Sequence, residues 1–429
     1  MTKPSSIALI ALALFVTACA TDLDDDEDPE PNPEVDDGEL IDEPGQASIG
    51  PEVPETISAC AVTVSKPAEL MIRALAVVED PIRTRWTGSL ASASDGAWHF
   101  GRLMTEMAGA NDPAVFVRSW LSQWAAARTV NGQTVPARTQ IAAVLRAWPK
   151  TATGTLDLRK PPMRLLAIVN RFDLRSPGNA GEGRFVFGVL DAAGNPLQFT
   201  VILEYKLPAA DAAAVKQWAT DWHSLGALAL GSATYRTTLA AITRKFSRRG
   251  AFAGRPNGSA ISQVRTNEIA LAFPWELREF RLTTTGQLRM APSAMTPANN
   301  LDNTATLAAF INTNATAINA QTHTVPLSFE SRPFLAASVT NNIDFWNAPG
   351  VTNSTLRHRF SINTCNGCHG AESSTSFLHV FPRAAGQPAQ LSGFLNGVDA
   401  VDPVTGTTTR RFSDLNRRAN GLKAFLCAP

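Results

Sequence analysis

A chain of 429 residues carries 38 basic and 38 acidic side chains, a formal net charge of zero, with 44% apolar and 18% charged residues. That balance is globular and excludes a chain disordered throughout. Beyond the N-terminal segment no apolar run approaches the ~18 residues of a spanning helix, which excludes a bundle of membrane helices.

Residues 1–18 read as an export signal. Lys3 supplies a short basic region, and Ile7 to Val16 is an apolar stretch of about ten residues, too short for a permanent spanning helix. It ends in Val16-Thr17-Ala18-Cys19, which resembles the bacterial lipobox, with Val where Leu is usual. The resemblance implies a lipoprotein acylated on Cys19, palmitate among its fatty acids. It would be lipid-anchored in the cell envelope of a bacterium, periplasmic or surface-exposed. An ordinary signal peptide cleaved nearby is the alternative, and either reading takes the chain out of the cytoplasm. Several acyl chains hold a membrane stably, whereas a single chain binds reversibly.

Residues 19–59 read as an acidic tether. From Asp22 to Glu55 there are 15 acidic residues and no Lys, Arg or aromatic. The run Asp24-Asp25-Asp26-Glu27-Asp28 repels itself and can bury nothing, so the segment is expected to be disordered. It lacks the spaced glycine turn of a calcium loop. Setting it aside exposes a charge asymmetry: from Ala61 onward 37 basic residues stand against 23 acidic ones, leaving the body at +14. Clusters occur at Arg244-Lys245, Arg248-Arg249, Arg410-Arg411 and Arg417-Arg418. A basic surface suits an acidic redox partner or an anionic envelope surface. No nucleic-acid motif accompanies the charge, so nucleic acid is not an expected partner.

Residues 60–343 read as a basic α+β domain with an antiparallel sheet and flanking helices. Helical spacing covers Ala114 to Arg128, Gln140 to Trp148, Ala209 to Ser224, Thr234 to Ser247 and Thr306 to Ala320. The runs Arg184 to Leu190 and Leu197 to Leu207, joined through Asp191-Ala192-Ala193-Gly194-Asn195-Pro196, predict a β-hairpin. Leu165 to Asn170, Ser262 to Phe273, Glu276 to Leu282 and Gln287 to Met290 are further strands. Strands lying between helices give the α+β class. This domain carries no G-x-S-x-G, no H-E-x-x-H and no phosphate-binding loop. His99 and His223 with Asp173, Glu182 and Glu204 form no recognisable constellation, and the domain's own role is not legible.

Residues 344–429 hold the one strong chemical motif, Cys365-Asn366-Gly367-Cys368-His369-Gly370. C-x-x-C-H is the attachment site of a c-type haem, with two thiols on one turn and an adjacent histidine facing the iron. A zinc site using Cys365, Cys368 and His369 or His379 is a second reading, and a redox disulfide a third. Expected helices at Leu356 to Asn363 and Ser413 to Cys427 flank the motif. The segment resembles a small, mainly α c-type cytochrome, a resemblance carried by the motif and the two helices. It implies one haem c bound covalently through Cys365 and Cys368 with His369 as the proximal iron ligand. Small cytochromes usually place a methionine C-terminal to the motif, and none follows Cys365 here. His379 is the first candidate for the sixth ligand; His323 or a methionine from the larger domain could also reach in.

Of the five cysteines, Cys60 and Cys427 remain, and an oxidising compartment favours their pairing. The function expected is electron transfer by an envelope lipoprotein. The alternatives are a peroxidase- or oxygenase-like haem enzyme with an open distal side, and a haem-free surface binding or structural lipoprotein with Cys365 and Cys368 in a zinc site or disulfide.

Overall fold

A computed structural model describes residues 38–40 and 60–428. The expected export signal, Cys19 and most of the tether lie outside the described residues. Within the tether, Leu40 bridges to Thr283, and the Glu39 carbonyl accepts the Thr284 N–H at 2.7 Å. That short stretch is therefore docked: a hairpin end left a backbone N–H in need of an acceptor.

Eight strands build the main sheet: β1 (Met71–Ile72), β2 (Met163–Arg171), β3 (Asn179–Leu190), β4 (Pro196–Pro208), β5 (Ile261–Glu268), β6 (Glu276–Leu282), β7 (Leu288–Ala291) and β8 (Val339–Thr340). The order is β1-β2-β3-β4-β5-β6-β8, with β7 also on β6, and every pairing is antiparallel. The architecture is α+β with helices flanking this sheet. The β3–β4 turn forms because the Asp191 carboxylate accepts the N–H groups of Ala193 and Asn195 at 2.9 and 2.8 Å.

One face of the sheet is apolar by alternation. Phe185, Phe187 and Val189 of β3 join Phe199, Val201 and Leu203 of β4 in the largest core. Covering this face are α1 (Phe100–Ala108), α2 (Pro113–Leu121), α3 (Ile141–Ala147), α4 (Ala212–Ser224) and α5 (Ala233–Ser247). Three of these helices start on side-chain caps: Asp112 for α2, Asp211 for α4 and Ser232 for α5. The helix expected from Ala114 to Arg128 is shorter, ending as α2 and one 3₁₀ turn. Arg128–Val130 instead pairs with Gln133–Val135, because Asn131 and Gly132 adopt φ of 45° and 71° and close a tight hairpin.

The opposite face is covered by the C-terminal segment. Ile362, Cys368, Val380, Phe394, Leu395, Leu415 and Leu422 share a core with Val169 of β2 and Val186 of β3. Residues 344–428 thus do not stand apart; the described residues fall in one compact unit. In this segment lie α7 (Ser354–Ile362), the short α8 (Cys365–Cys368) and α9 (Asp414–Leu426), after α6 (Ala305–Thr313), which packs against a third core with Phe360. Cys60 and Cys427 are joined with Cα atoms 6.0 Å apart across 367 residues, tying the start of the body to the end of α9.

Candidate functional site

The motif is built as a capped single turn. Thr364 caps α8, its hydroxyl accepting the Gly367 N–H at 3.1 Å and donating to the Ser361 carbonyl at 2.7 Å. Trp346 Nε1 donates to the same hydroxyl and to Asn366 Oδ1, both at 2.9 Å. Both glycines are required by close packing. A Cβ on Gly367 would lie 2.0 Å from the Ser361 carbonyl oxygen, and one on Gly370 2.4 Å from that of Asp344. Cys365 is fixed through its backbone N–H, which donates to Thr296 Oγ1 at 2.8 Å.

Cys365 and Cys368 are buried and not disulfide-bonded to each other. Three residues apart on one helical turn, they share a side. Both line a cavity between the motif and the sheet, together with His369 and His379. The cavity volume is about 100 Å³.

His369 Nδ1 lies 2.6 Å from the Phe377 carbonyl oxygen. A carbonyl only accepts, so Nδ1 carries the proton and Nε2 keeps its lone pair. Burial holds the imidazole neutral by lowering its pKa to about 4, against the Phe377 carbonyl, which favours the cation. Trp275 stacks on the ring at 5.5 Å.

His379 sits beside this group. Its Nε2 is 3.3 Å from Cys368 Sγ and its Nδ1 2.9 Å from Ser392 Oγ. Burial pushes the Cys368 thiol pKa up and the His379 pKa well down, so a neutral thiol faces a neutral imidazole. The pair is therefore not an activated thiolate. The rings of His369 and His379 are 4.2 Å apart. His323 packs on Phe360 in the third core, and His358 bonds to Glu372; neither lines the cavity. Met290 belongs to the helix-covered core, whereas Met71 does line the cavity.

The sheet floor of the cavity is polar. By register Val169, Arg184, Glu204 and Gln263 form one row across β2 to β5, and Val186, Ile202, Arg265 and Glu279 the next, across β3 to β6. Arg184 bridges Glu182 and Glu204 at 2.5 and 3.2 Å, while Arg265 reaches Glu204 at 3.5 Å and Glu279 at 3.1 Å. Arg171 pairs with Asp173 at 2.9 Å. Burial raises the Glu182 pKa, helped by the Glu204 charge and opposed by Arg184. For Glu204 burial acts the same way, but Arg184 and Arg265 outweigh it and hold the carboxylate ionised. In the sequence Asp173, Glu182 and Glu204 form no recognisable constellation; the signal that could have found them is a pair of acids, with Arg184, inside otherwise apolar strands.

Among the described residues, one group of three potential metal ligands converges within 4.8 Å, formed by His358, Glu372 and Asp402. Arg357 forks onto Glu372 at 2.7 and 2.8 Å and reaches Asp402 at 3.1 Å, where Arg410 also lies at 3.1 Å. Two guanidinium groups already neutralise the two carboxylates, so this cluster is a buried brace beside the motif. Cys365, Cys368, His369 and His379 supply no such preformed triplet.

No protein-family model, curated protein or solved structure matches the chain. The residues of the site alone carry the functional reading.

Proposed function

We propose that this chain is an envelope-anchored lipoprotein that carries one covalently attached haem c and transfers electrons. The observation that carries the reading is the convergence of Cys365, Cys368 and a neutral His369 with an available Nε2 on one cavity. This donor set fits a c-type haem: two thiols for thioether bonds and one imidazole whose other nitrogen is fixed by a carbonyl. When bound, the haem supplies a one-electron couple at iron. The chain's own residues do the rest. Phe377 and Trp275 orient His369, Thr364 and Trp346 hold the turn, and Val186, Ile202, Phe394 and Leu395 give the cavity one apolar wall. In this reading residues 344–429 act as the cytochrome-like part, braced on the sheet in place of folding alone. Cys19 provides the lipid anchor, and the +14 body suits an acidic redox partner.

A second reading, a haem enzyme with an open distal side, is favoured by one observation: His379 packs against His369 at 4.2 Å and turns its Nε2 to Cys368 Sγ. Spectroelectrochemical titration with carbon monoxide added to the reduced protein separates the two. An electron carrier with both axial positions filled cycles reversibly and leaves its spectrum unchanged by carbon monoxide. Stoichiometric carbon monoxide binding overturns the carrier reading in favour of the enzyme.

A further inference from the structure

The cavity beneath the motif has a cationic end. Four guanidinium groups line it, Arg171, Arg184, Arg265 and Arg418, against the single carboxylate of Glu204. Arg184 and Arg265 each reach two carboxylates, and Arg171 bonds both oxygens of Asp173 through two nitrogens. Arg418 reaches one. It shares Asp414 with Arg417, its Nη2 lying 2.5 Å from one carboxylate oxygen while Arg417 lies 2.6 Å from the other. The Arg418 side chain is only 7% exposed, yet its Nε and Nη1 are buried without a hydrogen-bond partner. A buried donor without a partner has lost its hydration with no bond in return, and the cost is larger on a charged group. Burial also lowers the Arg418 pKa to about 10, with Arg171 adding to the shift, as expected of a cation short of negative charge. The surrounding wall is apolar: Val186, Ile202, Phe394 and Leu395 line the same cavity.

We infer that the Arg418 end of this cavity binds the carboxylate of an amphiphilic ligand whose apolar body lies against the sheet. A carboxylate satisfies the two open donors and the surplus charge at once, and the branched and aromatic wall accepts a hydrocarbon body. The carboxylate has two sources: a propionate of the haem, which deepens the reading above, or a free organic acid, which does not need that reading.

The test uses the mature exported protein with its disulfide intact, prepared haem-free from a host without haem-attachment machinery and loaded from a host with it. Butyrate is the probe and butyramide its neutral control, both read by calorimetry. The haem-free protein should bind one butyrate and no butyramide, with affinity at least ten-fold weaker in Arg418→Met and unchanged in Arg411→Gln. If the haem-loaded protein no longer binds butyrate, and Arg418→Met shifts its midpoint potential, the source is a propionate. If it binds butyrate as before, the source is a free acid. Should Arg418→Met fail to fold, Arg418→Lys and the ionisation of ¹³C-carboxyl butyrate on the wild type stand in for it. A bound carboxyl that ionises at lower pH than free butyrate supports the site. Absence of butyrate binding by folded, haem-free wild type overturns it. A chain that never acquires haem yet binds butyrate sinks the haem reading and leaves the carboxylate site standing.

Discussion

Replacing Cys60 and Cys427 together by alanine removes a cross-link that spans 367 residues. In the chain-entropy treatment a loop of that size restricts the unfolded state by about 20 cal/mol/K, or ~6 kcal/mol at 25 °C, above the usual measured range of up to ~5. The native anchors of α9 survive the change: Phe425 still packs on Phe172 at 4.8 Å, and Arg417 still pairs with Asp173 at 2.7 Å. The double variant should therefore fold, losing about 3–5 kcal/mol. Unfolding entropy near 2.1 cal/mol/K per residue over roughly 370 residues converts this to a melting point lower by about 4–6 °C. Urea and thermal unfolding followed by circular dichroism measure both quantities, and wild type held in reductant should match the variant. A loss below about 1 kcal/mol, with the bridge verified in the wild type, would refute the claim that the unfolded chain is what the bridge restrains.

Further outcomes follow from the same contacts. Gly370→Ala drives a Cβ to 2.4 Å from the Asp344 carbonyl oxygen and 2.5 Å from that of Asn366. It should displace the turn and reduce haem attachment severalfold, read by absorbance at equal protein. Arg357→Met leaves the buried carboxylates of Glu372 and Asp402 with only His358 and Arg410 and should cost about 3 kcal/mol in urea unfolding, far more than Arg411→Met on the surface. Burial lowers the His323 pKa to about 4, from about 6.5 in an unfolded chain, so the unfolded state binds more protons between these values. Its contribution is present above pH 6.5 and lost as pH falls through 4, up to roughly 3 kcal/mol at about 1.36 per unit. His323→Phe, beside Phe360, should flatten that part of the stability–pH curve; an unchanged slope would contradict the assignment.

Much of the fold was legible because local chemistry and tertiary packing agree. The hairpin of β3 and β4 announced itself through two apolar runs and the Asp191 turn, and α4 and α5 through their helical spacing. α1 escaped notice: in Phe100–Ala108 the buried Arg102 and Glu106 blur the apolar stripe. The polar sheet face was not legible, for a deeper reason. Alternation marks which residues share a face, but not whether that face meets water. Glu182 and Glu204 form no constellation in the sequence, while the chain covers them with a segment more than 150 residues later and pairs them with Arg184. At the site, Cys365, Cys368 and His369 were readable from spacing alone. Arg418 was not, since its meaning depends on sharing Asp414 with its neighbour inside a cavity that only the packing of α9 creates. The absence of a methionine after the motif drew attention to His379, and only the geometry packs it against His369 with its Nε2 turned to Cys368 Sγ.

The central claim is the covalent haem. The direct measurement is a pyridine haemochrome spectrum of the mature protein, exported by a host that attaches haem c to a control cytochrome. The account predicts a reduced α-band typical of haem c at one haem per chain, lost in the Cys365→Ser, Cys368→Ser double variant. A protein that stays colourless while the control is loaded contradicts it.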